Sequence, residues 1–179
     1  SVDKSLDLIA PDGTIATTLA HTALARHGTG AMLVANPAGD TLLLIGGLDA
    51  TAGESATAVT RVDVPSSASA STITAIASLP TNNGSRWLAN VAWVPGNAST
   101  DARAIVLGGQ SHSAITDGYL IDPRGAGTVD AAPSSTIDVT DVSIVATGAN
   151  EVLLVGGPGA ADVRRLVVSA TPPGLALAS

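Results

Sequence analysis

The 179-residue sequence has no cysteine and no phenylalanine, and its aromatic residues are two tryptophans and one tyrosine. Without cysteine the chain has no disulfide framework, no thiolate metal site and no cysteine nucleophile. The apolar fraction is nevertheless 45%, and it comes mainly from Ala, Val, Leu and Ile. The core must therefore be packed from small aliphatic side chains.

Charged residues are also scarce, at 13% of the chain, and their balance is acidic, with a formal net charge of −7. The high apolar and low charged fractions exclude general disorder. The eight basic residues are scattered, whereas phosphate binding depends on clustered Lys and Arg. We therefore expect neither nucleic acid nor an anionic membrane as a partner. The excess of Arg over Lys and the Ala-rich composition favour a bacterial origin.

Long apolar runs and helical patterns are absent as well. No stretch approaches the roughly 18 consecutive apolar residues of a membrane-spanning helix, and the opening Ser-Val-Asp-Lys is unlike a signal peptide. Residues 16–26 are the best helix candidate, but they lack an apolar stripe with a 3.6-residue period, so we predict a strand followed by a loop. A soluble chain is expected, and the missing initiator Met favours a processed or truncated product.

An apolar run that ends in two glycines occurs three times, at 42–47, 104–109 and 152–157. The first glycines of these pairs, Gly46, Gly108 and Gly156, are 62 and 48 positions apart. Such glycines allow a strand to turn with positive φ and allow another backbone to approach closely. A phosphate-binding loop is the alternative interpretation, but neither Gly-Lys-Ser/Thr nor Gly-x-Gly-x-x-Gly accompanies the pairs.

Each glycine pair belongs to a predicted unit of four short strands. A first strand and a turn rich in Gly, Pro, Asn or Asp precede each apolar run, which predicts a hairpin. The first strands are at 31–35, 88–94 and 142–147. The third strands, which follow a polar loop, are at 57–64, 118–121 and 163–169. The fourth strands are at 71–77, 128–131 and, in the last unit, the tail 174–178.

The start of the chain matches the second half of such a unit. Residues 8–15 align with residues 120–129 as the end of a third strand, a Pro-led turn and the start of a fourth strand. Units of four antiparallel strands are typical of propeller blades. The predicted organisation, about three and a half blades, is a half blade at 1–28, blades at 29–80 and 86–133, and a partial blade at 139–179.

With the glycine pairs in this order and near a 50-residue period, the chain resembles the kelch-repeat family. Arg26 and Arg86, which lie 20 and 22 positions before their glycine pairs, stand where the family often has an arginine. Asp122-Pro123 matches the turn after the third strand. The resemblance implies an all-β, kelch-like β-propeller.

The chain departs from the family at its aromatic positions. Tyr119 fits the tyrosine that follows a glycine pair, but Val62 and Leu166 stand at the comparable places in the other units. Ile15 and Val129 occupy the position of the family's tryptophan. The repeats are therefore divergent.

Histidine and serine provide no recognisable catalytic pattern. The three histidines, His21, His27 and His112, have no carboxylate at a helical or hairpin spacing. A hydrolase triad of Ser111, His112 and an aspartate would lack the strained Gly-x-Ser-x-Gly turn. The copper radical chemistry of some kelch-type oxidases needs a tyrosine–cysteine cross-link, which this chain cannot form, and it has no sialidase-type Asp boxes.

Loop carboxylates at Asp49 with Glu54 and at Asp138 with Asp141 could provide oxygen ligands to calcium, but the twelve-residue calcium loop is absent. We expect these side chains to be solvated. No catalytic, cofactor-binding or metal-binding residue is therefore assigned, and no cofactor is expected.

The sequence also contains two tryptophans and two Asn-x-Ser sequences. Trp87 and Trp93 are six positions apart, which predicts a shared face in a continuous strand. They could contact a glycan or a protein, but we expect them to be the largest core anchors. The sequences at 83–85 and 97–99 match glycosylation acceptors and are expected to be ordinary turns.

The leading functional hypothesis is a non-catalytic scaffold for protein interaction or assembly. The alternative is a secreted carbohydrate-binding module or a carbohydrate-active or metal-dependent enzyme of the kelch type. A secreted, periplasmic or cell-surface location is expected, with the cytoplasm as the alternative.

The strand count also makes a prediction about partners. A closed propeller usually has four to eight blades, so we expect the chain to be a fragment or to be completed by another polypeptide. In the second case residues 5–9 and 14–18 would pair with the partner's strands.

Overall fold

The computed structural model describes residues 5–34, 39–49, 57–65, 70–80, 86–97, 102–110, 117–132, 139, 142–157, 163–170 and 173–177. Strands account for 69% of these residues. Helical structure in these residues is limited to 3-10 conformation, as in the turn Thr22–Leu24. The predicted all-β class is confirmed for this part of the chain.

A hairpin at the start of the chain precedes three larger sheets. This N-terminal hairpin consists of β1 (Ser5–Ile9) and β2 (Ile15–Ala20), which pair antiparallel with each other. A short ladder joins β3 (Arg26–His27) to β6 (Leu48–Asp49). Residues 16–26 thus form a strand, a single turn and the start of the next strand, close to the prediction.

Each of the three larger sheets is an antiparallel meander of four strands in chain order. The first sheet consists of β4 (Gly30–Val34), β5 (Gly39–Ile45), β7 (Ala58–Pro65) and β8 (Thr72–Ser78). The second sheet consists of β9 (Asn90–Val94), β10 (Arg103–Leu107), β11 (Gly118–Asp122) and β12 (Thr128–Ala132). The third sheet consists of β13 (Val142–Ala146), β14 (Glu151–Gly156), β15 (Val163–Ala170) and β16 (Pro173–Leu177).

The three sheets share one register relative to their glycine pairs. The residue three positions before the first glycine lies in the second strand, and its partner lies in the first strand. These pairs are Leu43 with Met32, Ile105 with Ala92, and Leu153 with Val145. Positions at the same distance from a glycine pair can therefore be compared between sheets.

Two hydrophobic clusters hold the sheets together face to face. The first joins the first and second sheets and includes Leu43, Ile45, Val59, Ala104, Val106 and Ile121. The second joins the opposite face of the second sheet to the third and includes Ile105, Leu107, Leu120, Val152, Leu154 and Leu166. Because β9 contacts both β4 and β13, while β12 contacts both β8 and β16, the sheets stack with corresponding strands alongside one another.

The glycine pairs have the backbone geometry that the sequence predicts. All six have positive φ: 65° and 100° at Gly46 and Gly47, 59° and 100° at Gly108 and Gly109, and 96° and 115° at Gly156 and Gly157. A Cβ atom at Gly46 would collide with the carbonyl oxygen of Arg86, and one at Gly109 would lie 2.8 Å from that of Trp87. The predicted turns and close backbone approaches are confirmed.

The two tryptophans do not lie in one continuous strand, so the prediction of a shared strand face was wrong. Trp87 forms an isolated bridge with Gln110, and Leu88 has a φ of 53°, which interrupts the strand before β9 begins. Both tryptophans are half-buried, and Trp93 packs at the margin of the first cluster. The largest fully buried side chain among the described residues is that of Arg86, so the prediction that the tryptophans are the largest core anchors was also wrong.

Candidate interaction surfaces

Some of the candidate metal-binding or catalytic residues lie in the described part of the chain. His21 and His27 are exposed, and Asp49 lies opposite Arg26 in the short ladder. Within the described ranges no group of three His, Asp or Glu side chains is placed to hold a metal ion. The candidates outside those ranges are Glu54, Ser111, His112, Asp138, Asp141, residues 83–85 and the last two residues of 97–99.

Arg86 is the centre of a buried polar cluster at the entrance to the second sheet. Its side chain is 0% exposed, and one guanidinium nitrogen donates to the carbonyl oxygens of Gly108, at 2.9 Å, and Asp117, at 3.4 Å. The other forms an ion pair with Asp117 Oδ1 at 2.7 Å. The guanidinium also lies 4.9 Å from the centre of the Tyr119 ring. The cluster therefore ties both ends of the loop between β10 and β11 to Arg86, four positions before β9 begins.

Arg26 has the same position before the first sheet. Its guanidinium donates to the carbonyl oxygens of Gly46, at 2.7 Å, and Ala58, at 3.2 Å, and to the Thr60 hydroxyl at 2.9 Å. Burial lowers the pKa of Arg26, because a desolvated guanidinium loses hydration. These contacts give the two arginines, noted in the sequence for their spacing alone, a structural role at the glycine turns.

Tyr119 provides a direct optical test of the Arg86 cluster, because it is the one tyrosine in the chain. Burial raises its pKa above the ordinary value of 10.0, and the nearby Asp117 carboxylate adds to the effect. The neutral phenol is thus favoured in the folded state. We expect its ultraviolet absorbance to titrate above pH 10.0 in the folded protein. The contribution of the neutral Tyr119 phenol to folding stability is complete below pH 10.0 and is lost as the pH rises through the pKa of the folded state.

The control for this titration is the protein in denaturant, where the phenol should ionise near pH 10.0, the value of an unperturbed tyrosine. A folded-state midpoint at or below the denatured one would contradict the buried position of Tyr119.

The third sheet has an exposed aliphatic face on the side away from the second sheet. We call this the outer face and define it by Val145, Leu153, Val155, Val163 and Val167. Its four valines are exposed, with exposures of 53% at Val145, 46% at Val155, 62% at Val163 and 42% at Val167. Because contiguous exposed apolar surface marks contact sites, the outer face is a candidate interface.

Equivalent positions on the second strands of the first two sheets are buried. By distance from the glycine pair, Val155 corresponds to Ile45 and Leu107, which are fully buried against the next sheet. Leu153 corresponds to Leu43 and Ile105, which are also fully buried there. The outer face therefore repeats a surface that the first two sheets use for packing.

The outer face also contains one ion pair. Arg165 lies opposite Leu153, and its guanidinium is 3.4 Å from a carboxylate oxygen of Glu151, with both side chains partly exposed. An exposed pair of this kind contributes little to stability. Together with the exposed Ser143, which pairs with Val155, it interrupts the aliphatic surface of this face.

A second incompletely covered apolar surface lies at the opposite end of the stack. We call it the leading face of the first sheet, and it consists of Ala31, Leu33, Leu42, Leu44 and the neighbouring positions of β7. Leu33 is 59% exposed, Ala31 is exposed, and Leu42 and Leu44 are half-buried. The two ends of the stack thus differ from its middle in having uncovered aliphatic side chains.

No protein-family model and no curated protein matches the chain. In the part of the chain that the structure describes, no helix has the length and apolar character to cross a membrane. We therefore infer the function from the surfaces themselves.

Proposed function

We propose that the chain is a segment of a kelch-like β-propeller and serves as a non-catalytic scaffold for protein interaction or assembly. Three features support the propeller: the repeated four-stranded sheets, the stacking of corresponding strands, and the glycine pairs, two of which accept a hydrogen bond from an arginine. Stacked sheets with first strands together and fourth strands together are the arrangement expected of neighbouring blades.

The main support for the scaffold proposal is the exposed outer face of the third sheet. At Val155 the corresponding side chains of the first two sheets, Ile45 and Leu107, are buried between sheets, whereas the valines of the outer face are exposed. Covering them removes aliphatic surface from water, which is favourable by about 25 cal/mol per Å². The occupant that fits is a further four-stranded sheet, either the next blade or part of a partner protein.

Extending the chain tests this proposal directly. We would append a second copy of residues 139–179 after Ser179, because the third sheet, which lies in this unit, already packs against the equivalent face of the second sheet. We expect the added unit to cover the outer face and to raise the free energy of unfolding by about 2 kcal/mol or more. Urea unfolding of the original and extended chains measures the difference, and amide exchange in β14 and β15 should become slower.

Substitutions in the original third sheet provide the controls. Val155→Lys together with Val163→Lys should remove the gain in stability, whereas Leu88→Lys, at an exposed position outside this face, should preserve it. An extended chain no more stable than the original would contradict the proposal for the outer face. A bound metal found by elemental analysis, or turnover of any member of a glycan panel, would contradict the non-catalytic assignment.

A further inference from the structure

One arginine of the first sheet bonds directly to the second sheet. Arg61 lies on β7 opposite Leu43, which is fully buried in the cluster between these two sheets. Its guanidinium donates to the carbonyl oxygens of Pro123, at 2.8 Å, and Gly125, at 3.1 Å. Both carbonyls lie in the turn that joins the third strand of the second sheet, β11, to the fourth, β12. This interface thus combines aliphatic packing with hydrogen bonds from an arginine to main-chain oxygens.

Arg165 has the same position on the outer face of the third sheet. It lies opposite Leu153, as Arg61 lies opposite Leu43, and both leucines are three positions before a glycine pair. The Arg165 side chain is 51% exposed, whereas that of Arg61 is 21% exposed. Within the described ranges the partner of the Arg165 guanidinium is Glu151. Arg165 therefore occupies an interface position that no neighbouring sheet covers in the described part of the chain.

The two arginines also share a carboxylate partner at equivalent places. Asp63, two positions after Arg61, lies 2.9 Å from its guanidinium. Val167 stands two positions after Arg165, and the residue that pairs with it across the sheet is Glu151. The Glu151 carboxylate lies 3.4 Å from the Arg165 guanidinium. Each arginine thus has a carboxylate beside it at the same level of the sheet, which limits the orientations of the guanidinium.

The second sheet differs at this position, where it has a leucine. Leu120 lies opposite Ile105 on β11 and is fully buried against the third sheet. The chain therefore contains two kinds of interface, one with an arginine and one with a leucine at this place. The outer face, with Arg165, is of the first kind. Because a guanidinium buried without acceptors is costly, a sheet that covers the outer face must offer acceptors to Arg165.

We infer that Arg165 determines which sheet the outer face binds. The preferred occupant is a four-stranded sheet whose turn between the third and fourth strands presents main-chain carbonyl oxygens, as residues 123–125 do. Arg165 donates to these oxygens while the valines of the outer face pack against the sheet itself. A sheet like the third, whose buried face receives Leu120, is the poorer occupant. The inference rests on the proposed scaffold function and adds the chemistry by which the partner is selected.

A single substitution in three full-length chains tests this selection. We would introduce Arg165→Leu into the original chain, into a chain extended after Ser179 by residues 79–133, and into one extended there by residues 139–179. The first extension contains the second sheet and its turn at 123–125, and the second contains the third sheet. Each comparison joins two chains of equal length, so urea unfolding reports the effect of the substitution alone.

The expected effects differ in sign between the two extended chains. In the original chain the substitution should change the unfolding equilibrium constant by at most about fivefold, because the ion pair with Glu151 is exposed. In the chain extended by residues 79–133 it should raise that constant at least about tenfold more, because charge-assisted hydrogen bonds to the turn are lost. In the chain extended by residues 139–179 it should lower the constant, because leucine stands at this place in the interface that the third sheet already forms.

Arg61→Leu in the original chain tests the same contact where it is already formed. We expect this substitution to raise the unfolding constant at least about tenfold more than Arg165→Leu does. The reason is that Arg61 donates to two carbonyl oxygens of the next sheet. This arm requires no extension of the chain. Equal effects of the two substitutions would overturn the inference.

The extended chains also separate this inference from the proposed function. If both extensions stabilise the chain and Arg165→Leu has the same effect in all three chains, the outer face binds a sheet without selection by Arg165, and only the inference fails. The same holds if Arg165→Leu destabilises both extended chains equally. If neither extension stabilises the chain, the scaffold proposal fails, and the inference fails with it.

Discussion

Replacing Arg86 with methionine will lower the free energy of unfolding by about 3 kcal/mol or more. Methionine keeps part of the aliphatic stem but removes the charge that pairs with Asp117 and the donors to the carbonyl oxygens of Gly108 and Asp117. These buried carbonyls would lose their hydrogen-bond donor, and the stacking of the guanidinium on Tyr119 would also be lost. Urea unfolding followed by tryptophan fluorescence measures the effect.

Arg124→Met is the matched control for this substitution. Arg124 forms its ion pair with Asp122 at the surface, where its side chain is 45% exposed, and exposed pairs contribute at most about 1 kcal/mol. The prediction fails if the Arg86 and Arg124 variants lose equal stability. It also fails if the Arg86 variant is as stable as the original protein.

Gly46→Ala will destabilise the protein by about 2 kcal/mol or more. The residue has a φ of 65°, and the added Cβ would collide with the backbone carbonyl oxygen of Arg86. That oxygen accepts a hydrogen bond from the N–H of Gly47 at 2.8 Å, so it cannot move away without breaking the contact between the first and second sheets. Denaturant unfolding compares the variant with the original protein.

Gly125→Ala separates the two causes of this effect. Gly125 has a φ of 57°, but a Cβ atom there would meet nothing within 4 Å. We therefore expect Gly125→Ala to cost only the strain of alanine at positive φ, about 1 to 2 kcal/mol. Equal losses at Gly46 and Gly125 would show that the close approach to Arg86 contributes nothing.

The strand pattern could be predicted because its determinants are local in the sequence. The runs before Gly46, Gly108 and Gly156 are aliphatic and end in residues that tolerate positive φ, and turn residues separate them from the preceding strands. The same patterns indicated four strands in each unit, which the sheets contain. The kelch-like propeller remains a proposal, since it concerns how many such sheets assemble and not how each one forms.

The contacts of the buried clusters could not be predicted, because they join residues far apart in the chain. Asp117 is 31 positions from Arg86, and nothing in its neighbourhood distinguishes it from a solvated loop carboxylate. The error at Trp87 and Trp93 has a different cause. Leucine rarely adopts positive φ, so the bend at Leu88 leaves no signal in the sequence, and a continuous strand was the natural interpretation.

The second sheet belongs to both hydrophobic clusters, which has a consequence for how the chain unfolds. Four consecutive residues of β10, from Ala104 to Leu107, are fully buried, because alternate side chains pack in opposite directions. Each neighbouring sheet is anchored through one interface, whereas the second sheet is anchored through two. The stack thus behaves as a linear array with nearest-neighbour coupling, in which local opening begins at either end and the central sheet, holding both neighbours, is the last to lose its structure.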